Sequence, residues 1–422
     1  MKLLIYGLNF WPELTGVGKY SGEMAQWLAA RGHHMRVVTA PPYYPEWQVH
    51  AGYNAAAYRR QDWSSGAHSV QVQRCPLWVP QSVTTLRRLL HLGSFTLSSL
   101  PCLCLALRRK PEVMIVMAPT LFVAPAALLL GRWFKVPLWL HVQDFEVDAM
   151  FALKLGKATG RLRQLVLATE SALLRRFDRV SSIAPRMVEK LTAKGVAPGR
   201  CVLFPNWVDL SAVFPMSGPN PFRQQLQCAE GDVLVLYAGN MGEKQGLELV
   251  LQAAAALAGQ SGLRFVLAGQ GAARARLEQE AQGLPNVSWL PLQPLSQLNA
   301  LLNAADIHVL PQRADAADLV MPSKLTGMLA SGRAIVGTAA ADTQLGQVLD
   351  EAGCRVDPGA VTALAAALAS LAADAAHRAL LGRRARAYAE QHLAIDAIMG
   401  RFEAQLQQLA QLSADVAGQS PP

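Results

Sequence analysis

Residues 233–246 read Val-Leu-Val-Leu-Tyr-Ala-Gly-Asn-Met-Gly-Glu-Lys-Gln-Gly, and they are the clearest guide to the fold. The first six residues are apolar or aromatic, which predicts a buried strand at 233–238. Gly239 and Gly242 then open a turn, and from Leu247 onward apolar residues recur at helical spacing. A strand, a glycine-rich turn and a helix are the repeating parts of a parallel α/β sheet.

The same alternation occurs in two series. We predict strands at Lys2–Tyr6, Arg36–Ala40, Val113–Met117, Pro137–Val142 and Arg179–Ile183, and again at Val233–Ala238, Arg264–Ala268, Val287–Leu290, Ile307–Leu310 and Ala334–Gly337. Helical patterns between them include Lys19–Ala30, Leu162–Arg176, Leu247–Leu257 and Leu295–Ala304. Two such series predict an α/β protein with two Rossmann-like, doubly wound domains that face each other across a cleft.

The length of 422 residues also favours two domains over one core. Prolines and glycines cluster at residues 205–221, which places a boundary there. We therefore predict an N-terminal domain at 1–205 that binds the acceptor and a second domain at 206–385 that binds the donor. Residues 386–422 are predicted to form a C-terminal helix that returns to the N-terminal domain, followed by a disordered tail.

Composition limits the kinds of partner. Half of the residues (51%) are hydrophobic and 16% are charged, which excludes a disordered chain. A net charge of +9 suits an anionic partner, such as a nucleotide or an acidic membrane surface, but a solvated basic surface is an equal explanation. Basic residues are scattered rather than interleaved with aromatics, so no nucleic-acid partner is expected. The six cysteines include no CxxC pair, and no signal peptide precedes the first strand, which predicts a cytoplasmic protein.

One segment has the composition of a membrane helix. Leu89–Leu107 contains no Asp, Glu, Lys or Arg, and Arg87-Arg88 and Arg108-Arg109-Lys110 flank it. Serines and Pro101 interrupt the segment, so we expect a buried helix or one that lies at the interface of an anionic membrane rather than a span. The aromatic-rich stretch Trp47–Trp63 either joins that membrane contact or packs a loop.

Three loops carry candidate chemistry. Gly16 and Gly18 follow the first strand, Gly239, Asn240 and Lys244 follow the strand at 233–238, and Ser323 and Lys324 begin a helix that ends near Gly332. Glycines let a backbone approach a ligand closely, and helix starts and lysines favour phosphate. A plain turn or a surface lysine is the alternative at each position. No loop has the GxGxxG order of a dinucleotide site or the GxxxxGK[ST] order of a P-loop.

These motifs together resemble the family 4 retaining glycosyltransferases, which have the GT-B fold. The resemblance covers nearly the whole chain, and its motifs are the Gly16/Gly18 loop, His141-Val-Gln-Asp144, Phe204-Pro-Asn-Trp-Val-Asp209, Gly239-Asn-Met-Gly-Glu-Lys244-Gln-Gly246 and Pro322-Ser-Lys324 leading to Leu329-Ala-Ser-Gly332. Two of them are similar to the exopolysaccharide branch that includes the colanic acid glycosyltransferases, among them its fucosyltransferase type.

The resemblance implies a role for each candidate residue. Asp144 is the first catalytic candidate, with Lys244 stabilising the leaving diphosphate and His141 either catalytic or packing its strand. Donor binding is implied for Gly16, Gly18, Gly239, Asn240, Lys244, Asp318, Ser323 and Lys324. The implied reaction moves a sugar from a nucleotide-diphosphate donor, with retention, to a polyprenyl-diphosphate-linked saccharide at the inner face of the cytoplasmic membrane. No cofactor is implied and, because the chain has no DxD motif, no metal is expected.

The chain also departs from the family pattern. Asn240 stands where the family usually has an arginine, and Gly327 stands where it usually has a second glutamate, with the first falling at Leu319 beside Asp318. Glu146 and Asp148 are expected to be solvated. Two other functions remain open on the sequence: a sugar-nucleotide epimerase of the same fold, which would need no acceptor, and a non-enzymatic basic membrane-surface protein.

Overall fold

The computed structural model describes residues 1–13, 16–65, 68–82, 84–118, 120–145, 160–242, 245–313 and 322–418. The chain divides into two compact units. The first unit comprises Met1–Pro205 and Asp396–Pro422, and the second comprises Asn206–Ile395.

The first unit is built on one sheet. Its strands are β1 (Lys2–Tyr6), β2 (His34–Thr39), β3 (Arg59–Ser65), β4 (His68–Arg74), β5 (Val113–Met117), β6 (Leu138–Val142), β7 (Arg179–Ser182) and β8 (Cys201–Leu203). Its helices are α1 (Gly16–Ala30), α2 (Thr85–Leu107), α3 (Thr120–Trp133), α4 (Arg161–Leu174) and α5 (Pro185–Ala193). The strand order is β3-β4-β2-β1-β5-β6-β7-β8.

Strand β1 is the centre of this sheet, with parallel β2 on one side and parallel β5 on the other. The chain reverses its winding direction there, and the inner strands are buried on both faces, as is usual for sheets covered by helices. The all-parallel pattern expected from the sequence is wrong at one edge, where β3 pairs antiparallel with β4. These two strands form a polar hairpin, which the search for apolar runs did not detect.

The second unit repeats the architecture. Its strands are β9 (Val233–Ala238), β10 (Leu263–Ala268), β11 (Val287–Leu290), β12 (Ile307–Leu310), β13 (Ala334–Thr338) and β14 (Cys354–Val356). Its helices are α6 (Pro221–Gln225), α7 (Leu247–Ala256), α8 (Arg274–Glu280), α9 (Leu298–Ala304), α10 (Lys324–Ala330), α11 (Gln344–Ala352), α12 (Val361–Ala373) and α13 (Ala375–His392). The order β11-β10-β9-β12-β13-β14 is that of a Rossmann sheet, and every pairing is parallel.

The last helix, α14 (Ile395–Gly418), packs its side chains into the first unit. Phe402 stacks on Phe204 at a centroid distance of 4.1 Å and meets the edge of Trp139 at 4.9 Å. Glu403 accepts from His33 Nε2 at 2.7 Å and from Arg31 Nε at 2.8 Å. The contacts join an apolar core to an ion pair, so α14 is part of that unit's fold.

Within the described part of the chain, α2 is the one single helix long and apolar enough to span a membrane, and 33% of its most apolar stretch is buried. The pair α12 and α13 would pass the same test together, but it is bent by 105°. The exposed side chains of α2 include Leu86, Leu89, Leu90, Leu97 and Leu105.

Candidate functional site

The candidate donor site lies at the carboxyl end of β9 in the second unit. Strand β9 pairs with β10 on one side and with β12 on the other, so the winding direction reverses here. Ligands of open α/β sheets bind at this point because the loops diverge and leave a crevice. We call residues 239–246 the Gly239 loop, of which 243 and 244 lie outside the described residues.

The loops after β9 and β10 touch each other through glycines. A Cβ at Gly269 would lie 1.9 Å from the Gly239 carbonyl oxygen, and a Cβ at Gly271 would lie 2.4 Å from the Met241 oxygen. Since no real Cβ can approach that closely, both positions require glycine. Met241 N also donates to Gln270 O at 2.8 Å. The Gly239 loop therefore packs directly against a second glycine-containing turn, residues 269–271 after β10.

Lys324, the first residue of α10, reaches into this loop. Its Nζ donates to Tyr237 Oη at 2.5 Å and to Gln245 Oε1 at 2.8 Å. The ammonium also lies 4.3 Å from the centroid of the Tyr237 ring, a cation–π distance. Tyr237 Oη in turn donates to Asn240 O at 2.5 Å. One tyrosine thus ties the lysine to the backbone of the loop.

The electrostatics of Lys324 favour an anionic ligand. Burial lowers the pKa of its ammonium to about 7, because water no longer solvates the charge. Neither of its two hydrogen-bond acceptors, Tyr237 and Gln245, carries a negative charge. A Cβ at Gly239 would lie 3.3 Å from Lys324 Cε, so the glycine leaves room for this side chain. Among the described residues, Lys324 thus has two neutral hydrogen-bond acceptors, and a bound diphosphate would add a negative charge to this environment.

Basic residues continue beyond Lys324. A Cβ at Gly246, which has a φ of +69°, would lie 3.2 Å from Arg313 Cγ, so Arg313 packs on the end of the loop. Burial would raise the pKa of Glu248 on α7, but the hydrogen bond from Arg276 Nη2 (2.5 Å) and the charge of Arg313 lower it instead. Arg276 and Arg313 thus both stabilise the charged form of Glu248 at the start of α7.

Helix α10 begins and ends where the sequence predicts, at Ser323–Lys324 and near Gly332. Ser323 occupies the N-cap position and is exposed, although its side chain makes no capping hydrogen bond. Gly332 has a φ of +67° and follows the end of the helix, as its sequence position predicts. A Cβ at Gly327 would lie 3.2 Å from Leu302 Cδ1, so this position packs against α9. A glutamate at 327 would have to displace Leu302.

The corresponding loop of the first unit has a different chemistry. Gly16 has a φ of +58° and nothing within 4 Å of a notional Cβ, whereas a Cβ at Gly18 would lie 2.6 Å from Glu13 Cβ. Glu13 is buried and accepts from Asn9 Nδ2 at 2.9 Å, Tyr43 N at 3.0 Å and Tyr44 N at 3.1 Å. Burial raises the pKa of its carboxyl, with these hydrogen bonds opposing the shift. Gly18 therefore makes room for a buried carboxylate.

His141 lies on β6 inside the first unit. Its Nδ1 is 2.9 Å from Ser181 Oγ, and its ring meets the edge of Phe204 at 5.0 Å. Burial lowers the pKa of this imidazole to about 3, so it is neutral at physiological pH. This environment is that of a core histidine, which is one of the two roles that the sequence left open.

Asp144 follows the same strand and is exposed. Its charge raises the pKa of Tyr44 after the larger effect of burial, which places the two side chains within electrostatic reach. Beside it, Gln143 is buried and its Nε2 has no hydrogen-bond partner among the described residues. Among the described residues at this strand end, Asp144 is thus an exposed acid, while His141 is buried.

Several predicted residues lie outside the described residues: Lys244, Asp318, Leu319, Glu146 and Asp148. The structure brings Gly239, Asn240 and Lys324 together, and it places Gly16, Gly18, His141 and Asp144 in the first unit. Sequence reasoning missed Tyr237, Gln245, Gly269 and Gly271. The Gly-Gln-Gly turn at 269–271 directly after a strand was a usable signal, but the tyrosine hydroxyl was not. No group of three or more potential metal ligands occurs among the described residues.

Two family models match the chain. The model described as "Glycosyl transferase 4-like domain" matches residues 15–207, and the one described as "Glycosyl transferases group 1" matches residues 232–374. The first match lies in the first unit except for its last two residues, and the second match lies within the second unit. The protein is therefore a glycosyltransferase.

A relative matches over nearly the whole length. The Escherichia coli (strain K12) protein named "Putative colanic acid biosynthesis glycosyl transferase WcaI" is 45% identical over 412 residues, which is 95% of this chain and 98% of that protein. The chain belongs to the same glycosyltransferase family. The resemblance derived from the motifs is thereby confirmed.

Solved structures share the fold. Sucrose-phosphate synthase from Thermosynechococcus elongatus superposes with a TM-score of 0.76 at 18% identity, covering 97% of this chain and 99% of that one. Anabaena Alr3699/HepE in complex with UDP-glucose gives a TM-score of 0.69 at 16% identity, covering 97% and 100%. The predicted fold class, two Rossmann-like domains of the GT-B type, is confirmed.

Proposed function

We propose that this glycosyltransferase moves a hexosyl group, with retention at the anomeric carbon, from a nucleotide-diphosphate sugar to a polyprenyl-diphosphate-linked saccharide. The product would be an intermediate of an exopolysaccharide like colanic acid. The relative WcaI carries colanic acid biosynthesis in its name, and HepE is a fold relative solved with UDP-glucose. These names support the proposed pathway and donor class.

The observation that carries the donor site is the environment of Lys324. A half-buried ammonium whose two acceptors are neutral stands at the point where the second sheet reverses direction. Preorganised positive charge stabilises the negative charge that develops on a leaving diphosphate, and it does so without reorganisation at the moment of reaction. Lys324 is therefore proposed to bind the diphosphate, with Arg313 extending the positive surface. The proposed mechanism uses no divalent metal.

Asp144 is the proposed polar residue on the acceptor side. It is exposed at the carboxyl end of β6, where functional groups of parallel sheets gather. Its role is proposed to be contact with the reacting sugar or the acceptor hydroxyl. His141, neutral and bonded to Ser181, is proposed to hold β6 against β7 rather than to exchange protons.

We also propose a cytoplasmic location, at the inner face of the cytoplasmic membrane. Helix α2 exposes Leu86, Leu89, Leu90, Leu97 and Leu105, and basic residues flank both of its ends. Apolar surface beside basic residues favours the interface of an anionic bilayer. A peripheral enzyme at this position would meet a lipid-linked acceptor directly.

The test is a panel of GDP-, UDP- and ADP-linked sugars, incubated with the full chain with and without a polyprenyl-diphosphate-linked saccharide. We expect slow hydrolysis of one donor alone, and transfer with an unchanged anomeric configuration, by proton NMR, when the acceptor is present. Chelation by EDTA should leave both rates unchanged.

Asp144→Asn should retain donor hydrolysis within about threefold and lose most transfer, whereas Asp209→Asn, at a turn in the second unit, should retain both. An inverted product would contradict retention. Release of an epimerised nucleotide sugar without acceptor would favour the epimerase instead.

A further inference from the structure

A cavity of about 780 Å³ lies in the first unit, between the loops after β2 and β4 and one side of α2. Its lining residues are Glu46, Trp47, Gln48, Val49, Ala55, Ala56, Pro76, Leu77, Trp78, Val79, Gln81, Ser94 and Ser98. No residue of this set was singled out as a site residue by the motifs. A cavity of this size can hold a large part of a small ligand.

The serines that line the cavity already have hydrogen-bond partners in the protein. Ser94 Oγ accepts from Trp78 N at 3.0 Å and donates to His91 O at 2.7 Å. Ser98 Oγ donates to Pro76 O at 2.5 Å. A saccharide needs polar partners for each hydroxyl that it buries, and these two offer little to it. The lining also contains Gln48, Gln81 and Glu46, which pairs with His50 at 3.3 Å, and its other residues are aromatic or aliphatic.

The wall of the cavity is fixed by a buried histidine. His91 Nδ1 is 2.7 Å from Trp78 O, and the imidazole ring lies 5.2 Å from the Trp47 ring. Trp47 has a φ of +54°, a conformation that is unfavourable for a bulky residue and that its neighbours must maintain. The two tryptophans of the wall are therefore both held by contacts with α2.

The apolar surface continues along α2. Leu90, Leu97 and Leu105 are 56%, 70% and 59% exposed, and Ser94 lies four residues after Leu90 and three before Leu97, while Leu105 lies seven residues after Ser98. Residues at those spacings share one helix face. A long apolar chain that left the cavity would therefore meet exposed leucines rather than polar surface.

Basic residues lie beside the cavity at the start of α2, where Arg87 contacts Ser82, the residue after the lining residue Gln81. Arg87 and Arg88 lie in the first turn of α2, and Arg87 donates to the neutral Ser82. Arg88 is within electrostatic reach of Tyr44 and of His91. Tyr44, which precedes the cavity residues Glu46 and Trp47 by two and three positions, is also within reach of Asp144.

We infer that this cavity binds the first isoprenoid units of a polyprenyl diphosphate, with the diphosphate at Arg87 and Arg88 and the sugar end directed toward Asp144. This inference rests on the proposed function and names the site of its acceptor. A largely apolar cavity, basic residues beside it and exposed leucines on α2 match a molecule with an anionic head and a long hydrocarbon chain.

The experiment measures binding of farnesyl diphosphate to the full chain by calorimetry, without detergent or vesicles. Inorganic diphosphate and a soluble oligosaccharide serve as competitors. Ala56→Phe fills the lining at an exposed position, and Ala51→Phe is the matched control in the same loop, outside the lining. Arg88→Gln removes charge at the basic end, and Arg109→Gln does so beyond the opposite end of α2.

We expect Ala56→Phe and Arg88→Gln each to weaken farnesyl diphosphate binding by at least about tenfold, equivalent to about 1.4 kcal/mol. The two control variants should bind within about twofold of the wild type. The inference fails if the oligosaccharide competes and farnesyl diphosphate does not bind, if inorganic diphosphate binds equally well, or if Ala56→Phe has no effect. Donor hydrolysis by the same samples separates the two proposals, because an active donor site with no farnesyl diphosphate binding contradicts only the cavity.

Discussion

The first loop of each Rossmann-like sheet occupies the same place in the fold, yet the two loops contain opposite charges. In the first unit, the loop after β1 encloses the Glu13 carboxylate, which three donors stabilise. In the second unit, the loop after β9 encloses the Lys324 ammonium, whose acceptors are a phenol and an amide. Both loops depend on a glycine that leaves space for the charged side chain, Gly18 in one and Gly239 in the other.

The two loops differ in whether the charged side chain is satisfied by the protein itself or would gain from a ligand. The Glu13 carboxyl group has its hydrogen-bond partners inside the protein, so it needs no ligand. The Lys324 ammonium has no negative partner among its two acceptors, so an anionic ligand improves its environment. A strand–loop–helix motif therefore does not define a phosphate site by itself; the sign and the pairing of the enclosed charge do. Three predictions test this distinction.

Removal of the ammonium should have the largest effect. Lys324→Met keeps the apolar stem of the side chain but removes the charge that is proposed to stabilise the leaving diphosphate. We expect kcat to fall by about 10²–10³-fold, as for loss of a preorganised transition-state donor. Lys19→Met is the matched control, because Lys19 lies on α1 after the first loop and pairs with Glu23 at 3.3 Å. If Lys324→Met and Lys19→Met lowered kcat equally, the proposal that only the loop of the second unit binds the diphosphate would be wrong.

The pH dependence of donor binding should show a smaller effect. Because the pKa of Lys324 is about 7 in the free protein, a rising pH deprotonates the ammonium that binds the diphosphate. Donor affinity is expected to fall above pH 7 by up to about tenfold per pH unit, and in that range binding should take up as much as about one proton. Calorimetry between about pH 6 and about pH 9 measures both the donor affinity and the number of protons taken up on binding. Lys324→Arg should abolish the dependence, since a guanidinium does not titrate there; a flat wild-type profile would contradict the assignment.

Substitution of the buried carboxylate should have the smallest effect on activity. Glu13→Gln keeps an acceptor for the Tyr43 and Tyr44 amides but loses the bond from Asn9, which costs about 1 kcal/mol. Donor affinity should stay within about twofold of the wild type. A loss of donor binding without a loss of stability would instead place Glu13 in the donor site.

The stability of Glu13→Gln also has a pH signature. The folded protein holds the Glu13 proton more tightly than the unfolded chain does, because the folded-state pKa is raised. The wild type therefore loses stability as the pH rises from the ordinary glutamate pKa of 4.5 through the raised value. The glutamine variant lacks this loss. The difference in free energy of unfolding between wild type and variant, measured from urea unfolding curves, should therefore become smaller as the pH rises.

The sequence predicted most of the central strands because buried parallel strands are apolar runs between turn signals. The predicted bounds of β1, β5, β9, β11 and β12 match those of the structure. The hairpin β3–β4 was missed because its exposed strand is polar, although Val70 and Val72 alternate with polar residues on β4. Strands β8 and β14 have only three residues each, too few to show a period.

The candidate site was predictable where a glycine follows a strand, as at Gly239, and where a lysine begins a helix, as at Lys324. The hydrogen bond from Tyr237 Oη to Asn240 O was not, because a tyrosine in an apolar run indicates only a buried ring. The burial of Gly18 against Glu13 and the inward position of His141 also depend on distant packing, which no local pattern encodes.

The position of α14 has a consequence for biosynthesis. The ribosome releases the strands of the first unit early, but Phe402 and Glu403, which complete its core and its ion pairs, emerge almost two hundred residues after Pro205. Until then Phe204 and Trp139 lack a neighbour that covers them. A nascent chain with uncovered aromatic surface is a substrate for chaperones and is prone to aggregation. The domain that is translated first is therefore finished last.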